Sequence, residues 1–476
     1  MLGLFGTLNL GVRSLSAQRE GSEIAGHNLA NVNNPAYARQ RLVLQTSLPV
    51  PSAVGLQGTG VESVAIVQVR NLLLDQQVQS ETSVRSSLEA QQQGLQYTEA
   101  NLGQMIDRQA SGPAGSSAAS GVGGQQGLAE NISDLFNGFQ SLSTNPTSLA
   151  ERQVLLIKAE NLSTQFNQVS NRLGEVNDSL NRSIEADVSN ANLLLKDIAK
   201  LNQQIVSSEV GGGGVANDLR DVRQQRIEEL AKLANISTVT QSDGVVDVSI
   251  DGVNMVSSGV VQDTLEAFDP GSGQLVVRAQ TAAQTLSLIG GSLHGTMEVR
   301  DGTLASLRSE IDTLASNLIT SVNAVHSGGF SLTGATGQNF FTGTGAADIA
   351  VNGALTSSPS AIQVSGVADA VGDNQVALAL AQLGNQSIAA LGGQTFVERF
   401  GQSVAGMGQS LNSVNTQLEN QNIVERMLLR QRDSFSGVSL DEEMTDLMKY
   451  QKAFQASAKL ITTVEEMLEI IVNLKR

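Results

Sequence analysis

The sequence predicts a mainly α protein with an inserted β domain, built as an elongated multi-helix bundle with paired N- and C-terminal coiled-coil helices. Three observations predict it. Leu440, Leu447, Phe454, Ile461 and Leu468 fall seven residues apart, with Val464 and Ile471 on the intervening three-residue step. That spacing keeps one narrow face turned toward another helix. Leu4, Leu8, Val12, Leu15, Ala25 and Leu29 trace a similar face near the other end of the chain, so pairing the two ends is the economical solution. Finally, aromatic residues make up only 3% of the 476 positions and Trp is absent, so the cores rest on Leu, Val, Ile and Ala, as in long solvated helices.

The first helix is expected over residues 3 to 32. It stops at Asn31-Val-Asn-Asn-Pro35, where Asn side chains favour turns and Pro35 disfavours helical geometry at Asn34. Residues 40 to 69 alternate like strands or extended loop, punctuated by Pro49, Pro51, Gly55, Gly58 and Gly60. A second helix runs over about 69 to 106, with Leu88, Leu95 and Leu102 seven apart. Residues 111 to 127 are almost entirely Gly, Ser, Ala and Gln and read as a mobile loop. A short helix follows near 128 to 143. Asn145-Pro146 then opens the longest helical pattern, with Leu155, Leu162, Val169 and Val176 in one row and Phe166, Leu173 and Leu180 beside it.

That pattern ends near Glu209, before the glycines at 211 to 214. About 60 residues at about 1.5 Å each make a rod of roughly 90 Å. Such a rod is expected to need other long helices beside it rather than a globular core; candidates lie at 217 to 234, 298 to 326, 396 to 434 and 440 to 474. Between them, Val239 to Gln241, Asp243-Gly244 and Val245 to Ile250 read as a hairpin, followed by the Asp251-Gly252 turn and a strand at Val253 to Val256. Residues 331 to 394 are a second Gly/Ser/Thr-rich stretch, expected to complete the same β domain.

The net charge of −17 and pI near 4.6 argue against a nucleic-acid or anionic-membrane surface. Cysteine is absent, which removes disulfides and thiolate chemistry together. The opening twelve residues carry no basic n-region and no A-x-A pattern, so a cleaved leader is not expected. No run of 18 apolar residues suggests a membrane span.

Chemistry is sparse. His27, His294 and His326 stand apart from any ligand cluster and read as structural. Gly343-Thr-Gly345-Ala-Ala-Asp348 lacks the third glycine of a dinucleotide fingerprint and reads as a loop. Gly211 to Gly214 precede no Lys-Ser or Lys-Thr pair, and so form a helix terminator, not a phosphate cradle. Asp441, Glu442, Glu443 and Asp446 crowd the start of a helix, where its dipole favours acids. No catalytic, cofactor or metal site is assigned.

An apolar heptad is ordinarily a core feature. At the two extremes of a chain, however, such seams have only each other for a core, and can order when neighbouring copies supply the missing surface. Residues 1 to 50 hold four Arg against two Glu, and residues 440 to 476 hold five Lys/Arg against seven Asp/Glu. This is a weak complementarity in favour of pairing.

Two strings carry a family resemblance. Ala25-Gly-His-Asn-Leu-Ala-Asn31-Val-Asn33-Asn-Pro35-Ala-Tyr37-Ala-Arg-Gln40 resembles the N-terminal signature of bacterial flagellar rod, hook and hook-associated axial proteins. Ser436-Gly-Val-Ser-Leu-Asp-Glu-Glu443 with Tyr450-Gln-Lys-Ala-Phe-Gln-Ala-Ser-Ala-Lys459 is similar to its C-terminal half. Asn217-Asp-Leu-Arg-Asp-Val-Arg-Gln-Gln-Arg226 and Gly372-Asp-Asn-Gln-Val-Ala-Leu-Ala-Leu-Ala381 also look like the family, so the resemblance spans most of the chain. Within it, long helices in place of mostly β structure after the N-terminal helix point to the members at the hook-filament junction.

The resemblance implies a structural, non-enzymatic component of the bacterial flagellum that polymerises as a layer connecting hook to filament. It also implies partners: further copies of itself, the hook protein, a second hook-filament junction protein, and a cytoplasmic export chaperone at the C-terminal helix. Export would be extracellular, through the flagellar type III apparatus. The expected domains are 1–36 with 436–476 as the inner coiled coil, 37–235 with 293–330 and 395–435 as a long-helix bundle, and 236–292 with 331–394 as a β-rich outer domain. The expected assembly interface comprises Leu4, Leu8, Val12, Leu15, Leu29, Asn31, Asn33, Pro35, Tyr37, Leu440, Leu447, Phe454, Ile461, Val464, Leu468 and Ile471. The alternatives are a secreted coiled-coil adhesin, another axial protein of hook, rod or filament type, and a wall hydrolase, for which no convergent carboxylates are found.

Overall fold

The computed structural model describes residues 3–52, 55–102, 127–210 and 214–473. The loop expected at 111 to 127 falls almost wholly outside them. In chain order the elements begin with α1 (Leu4–Ala30), β1 (Gln40–Thr46), β2 (Val50–Ser52), β3 (Gly55–Gln57), β4 (Val61–Gln68), α2 (Leu72–Asn101), α3 (Leu128–Thr144), α4 (Leu149–Val210) and α5 (Asn217–Leu233). Strands β5 (Ser237–Thr240), β6 (Val246–Ile250), β7 (Val253–Ser257), β8 (Val260–Val261), β9 (Leu265–Phe268), β10 (Val276–Ala279) and β11 (Gln284–Thr285) come next. Helix α6 (Gly291–Glu298) continues through a π-helical stretch, Val299–Leu304, into α7 (Ala305–His326). Short strands β12 (Phe341–Thr342) and β13 (Ala350–Val351) and helices α8 (Gly353–Ser357) and α9 (Gln375–Leu383) precede α10 (Phe396–Ser436) and α11 (Leu440–Asn473).

The 62-residue α4 is the common spine. Its expected rows are buried, Leu155, Leu162, Phe166, Val169, Leu173 and Val176 at 1% exposure or less. The expectation that so long a rod requires only helical neighbours is corrected. The N-terminal half, to Leu180, packs into a core with α3, α7 and the first half of α10, whereas Ile184 to Ala199 pack with α5 and the strands. One helix can serve two cores because its buried face continues through both, and the neighbours change along its length.

The second core encloses a four-stranded antiparallel sheet, ordered β5-β6-β7-β8, and a three-stranded sheet, β11-β10-β9. The β6–β7 turn places Asp251 and Gly252 at φ 48° and 77°, the left-handed pair that a tight hairpin requires. Burial along β6 alternates with Val246, Val248 and Ile250 inward, as a half-covered strand should.

Residues 331 to 394 do not complete this β domain. Phe340, Phe341, Ile349, Leu355, Ile362, Val364 and Leu380 belong instead to the helical core, and the only paired strands of this stretch, β12 and β13, pair with each other. Alternation was too weak to carry a sheet register here; the large side chains arrive at irregular intervals because they plug gaps between helices. Phe340 stacks edge-on to Phe341 and His326, with centroids 4.9 and 5.3 Å apart, and packs on Phe139 of α3 at 5.2 Å.

His326 closes α7 against this segment. Its Nδ1–H donates to the Gln338 carbonyl at 2.8 Å and its Nε2 accepts from the Gln363 amide at 3.0 Å. Burial pushes its pKa down to about 4, only partly opposed by the Gln338 bond, so the ring is neutral. The unfolded chain therefore binds this proton more readily than the folded one. The resulting stability is present in full above pH 6.5 and is lost as the pH falls toward 4, by about 3 kcal/mol. Urea unfolding at pH 7 and pH 4.5 should show this loss, and a His326→Gln variant should show a smaller pH dependence.

Candidate assembly interface

Helices α1 and α11 lie antiparallel. The pairing runs Gly11 against Ile461, Ser14 Oγ to Ser457 Oγ at 2.9 Å, Gly21 against Tyr450, and Asn28 Nδ2 to Glu443 Oε2 at 3.0 Å. On α11 the face toward α1 repeats at alternating four- and three-residue steps: Glu443, Leu447, Tyr450, Phe454, Ser457, Ile461, Val464 and Leu468 are buried or half-buried. Leu440 and Ile471, expected in the seam, lie at its ends and are about half exposed.

The α1 side differs from the leucine row. Its buried residues are Gly11, Ala17, Gly21, Ile24, Ala25 and Asn28, whereas Leu4, Leu8, Leu15 and Leu29 are half-buried and Val12 is exposed. The seam is rotated onto small residues, Ile24 excepted, because most of the large side chains come from α11. A Cβ on Gly11 would lie 2.8 Å from Ile461 Cγ1, and one on Gly21 2.5 Å from the Tyr450 ring. Scoring positions by apolar size misses a face whose role is to receive. Gly21→Leu is expected to weaken the pair by about 1–3 kcal/mol through overpacking, and adding Tyr450→Ala should recover part of the loss in thermal melts.

The segment after α1 ends in a polar knot. Asn31 caps α1, with its amide group donating to the His27 carbonyl at 3.0 Å, and the Asn34 and Tyr37 amides donate to the Asn31 and Asn34 carbonyls. Asn33 and Pro35 are exposed in the turn itself. Tyr37 is buried, and its hydroxyl donates to Asn28 Oδ1 at 2.7 Å. The same oxygen accepts from the Gln40 amide at 3.0 Å, and Asn28 Nδ2 donates to the Gln40 carbonyl at 2.9 Å as well as to Glu443. Asn28 thus uses its full bonding capacity in a buried position.

Arg39 completes the knot. Its guanidinium meets Glu443 Oε1 at 2.6 Å, Glu442 at 2.7 Å and Asp446 at 3.6 Å, and its amide donates to the Ser436 carbonyl at 2.9 Å. The acids at the start of α11 are therefore more than helix-dipole partners: Glu443, 2% exposed, is the buried anion on which α1 and the linker close.

A second set of bonds ties the linker to α5. The Ala38 amide donates to Asp221 Oδ2 at 3.3 Å, Gln40 Nε2 to Asp218 at 2.9 Å, and Arg70 to Asp221 at 2.6 Å and Asp75 at 3.2 Å. Burial pushes the Asp221 carboxyl up despite its Arg70 partner. Burial, and then the nearby Asp218, Asp221 and Glu443 charges, pushes the Tyr37 hydroxyl well above the ordinary tyrosine range. Tyr37 therefore remains a neutral donor.

Asn28, Arg39, Gln40, Arg70, Asp218, Asp221 and Glu443 are absent from the expected interface. Several stand inside strings already singled out for other reasons, but no spacing rule joins residues 28, 39, 221 and 443. Among the described residues, no group of three or more His, Asp or Glu is arranged to hold a metal ion. His294 bonds Ser87 at 2.9 Å, and His27 packs edge-on against Tyr37.

Residues 121–341 match the family model described as the flagellar hook-associated protein FlgK helical domain, and residues 430–474 match that of the flagellar basal body rod FlgEFG protein C-terminal region. A flagellar hook-associated protein 1 from Bacillus subtilis (strain 168) is 26% identical over 519 residues, covering 99% of each chain. One from Escherichia coli (strain K12) is 23% identical, covering 98% of this chain and 99% of its own. In fold, the chain is similar to the flagellar hook junction protein FlgK from Burkholderia pseudomallei, with a TM-score of 0.62 at 16% identity, over 76% of this chain and 100% of that one. The two terminal signatures, the paired ends and the helical domain agree with these matches, and the chain is similar to flagellar hook-associated protein 1 over almost its whole length.

Proposed function

We propose that this protein polymerises as a layer at the hook-filament junction of the bacterial flagellum, joining hook to filament. The carrying observation is the unpartnered apolar surface of the terminal pair: Met444, Met448, Met467 and Ile470 of α11 and Phe5 and Val12 of α1 are each 47 to 71% exposed while α1 and α11 already cover one another. A soluble monomer gains nothing from such a surface; a layer buries it against neighbours through heterologous contacts that do not close on themselves. The Tyr37–Arg39–Glu443 knot sets the orientation of this inner pair relative to α2 and α5, so an inner contact fixes where the outer units stand.

The role is cohesive rather than catalytic. Its partners are further copies of the chain, the hook protein on one face and the second hook-filament junction protein on the other, with an export chaperone on α11 before secretion. Immunogold labelling of detached flagella with antibody to residues 236 to 292 tests the location. A narrow band where hook meets filament is expected; label along the hook or at the distal tip overturns it. Leu447→Asp, which places a charge in the α1–α11 seam, is expected to abolish incorporation while leaving both inner cores folded. Normal incorporation of that variant overturns the assembly role.

A further inference from the structure

His27 stands in the last turn of α1, where it meets two other elements: its Nδ1 lies 3.1 Å from the Tyr37 hydroxyl and its Nε2 4.0 Å from Asp218 Oδ2 in the first turn of α5. A half-exposed histidine is ordinarily just a solvated neighbour. Here the bonds around Tyr37 decide which ring nitrogen carries the proton. Asn28 Nδ2 donates to the Gln40 carbonyl and to Glu443, and Asn28 Oδ1 accepts from the Gln40 amide, so the orientation of this side-chain amide is fixed. Its oxygen faces the Tyr37 hydroxyl at 2.7 Å as an acceptor. The single phenolic proton is therefore committed to Asn28, and the Tyr37 oxygen is left to accept from His27. That places a proton on Nδ1 and turns the Nε2 lone pair toward the Asp218 carboxylate. Two acceptors face each other across the joint.

We propose that His27 and Asp218 form a proton-dependent latch between α1 and α5: a second ring proton, on Nε2, turns the facing acceptors into a charge-assisted pair that tightens the joint, and its loss loosens it. Imidazole is the side chain that changes charge between about pH 5 and 8, so the joint is tighter in a mildly acidic medium than in an alkaline one. The surroundings favour the cation. The ring lies at the C-terminal end of a helix, where the macrodipole attracts positive charge. The acids nearest the Tyr37–His27 pair are Asp218 and Asp221 of α5 and Glu443 of α11, and the two cations of the knot, Arg70 and Arg39, are engaged by Asp221 and Glu443. On α1 itself, Glu23, one turn earlier, pairs with Arg19 at 3.5 Å. Asp218 Oδ1 already accepts from Gln40 Nε2 at 2.9 Å, so the latch closes on the carboxylate that holds the linker. The His27 and Asp218 side chains are 44% and 70% exposed. Both are free to close the gap to hydrogen-bonding distance, and the solvated setting limits the effect to a few-fold. The latch acts within one chain and does not depend on layer formation.

Two readouts on the full-length chain test it. The sequence holds three histidines, so nuclear magnetic resonance of isotope-labelled histidine resolves the His27 ring, identified by its loss in His27→Gln. At about pH 8 the ring is expected to carry its proton on Nδ1, with Nε2 bare; a bare Nδ1 with the proton on Nε2 overturns the latch. The second readout is hydrogen exchange at the Gln40 amide, which bonds Asn28 inside the joint. Corrected for the intrinsic pH dependence of exchange, its protection is expected to rise about threefold between about pH 8 and about pH 6. Asp218→Asn and His27→Gln approach the pair from opposite sides, and each is expected to abolish the rise while leaving Asp221 and Arg70 in place. Equal protection at the two pH values in the parent chain overturns the latch, as does a rise that survives in either variant. A Gln40 amide unprotected at both pH values overturns it too, since the ring then has no closed joint to hold.

Discussion

Replacing Arg39 with Ala is expected to detach the α1–α11 pair from the rest of the protein and to abolish incorporation into the flagellum. The guanidinium contacts three carboxylates at the start of α11, of which Glu443 is almost fully enclosed. Removing it leaves that carboxylate buried with Asn28 as its remaining donor. An uncompensated buried charge of this kind costs about 3–5 kcal/mol. The loss falls on the joint, since both apolar cores lie elsewhere. Hydrogen exchange should therefore accelerate at Gln40, whose amide bonds Asn28, while amides within α4 keep their protection. Arg39→Lys should recover only part, because an ammonium is a point charge and cannot fork across Glu442 and Glu443. Unchanged protection at Gln40 in Arg39→Ala would remove the knot from the mechanism.

The second large effect is expected from Phe340→Ala. Phe340 is fully buried, meets Phe139, Phe341 and His326, and fixes the segment after α7 onto the helical core. Truncation of such a ring costs about 3–5 kcal/mol in transfer and cavity terms. The melting transition of the helical core should fall by roughly 10 °C or more. The β5 to β11 unit belongs to the other core and should melt where it did before. A common shift of both transitions would mean that the two cores unfold as one, and that α4 couples them more tightly than separate cores imply.

These two sites mark the limits of sequence reading in different ways. The helices were legible to within a few residues because their signals are local: the Asn31 to Pro35 stop, the seven-residue rows of α4 and the Asp251-Gly252 turn each state a backbone preference on their own. Residues 331 to 394 were misassigned to the β domain because Gly, Ser and Thr describe a lack of regular structure and say nothing about which core the scattered Phe and Ile side chains enter. The face of α1 was misplaced for a related reason. Leu4, Leu8 and Val12 are conspicuous, but the close approach needs Gly11 and Gly21, whose contribution is the space they leave for Ile461 and Tyr450.

The sequence by itself therefore determined the class of fold, the pairing of the chain's two ends, the α11 seam from Leu447 to Leu468 and, through its terminal strings, the family resemblance. Each rests on a periodicity or a contiguous motif. Only the tertiary structure decided the knot of Asn28, Tyr37, Arg39, Asp221 and Glu443, the small-residue side of the seam and the division of α4 between two cores. Buried polar contacts between residues hundreds of positions apart depend on distances of about 3 Å, and those distances exist only once the chain has closed upon itself.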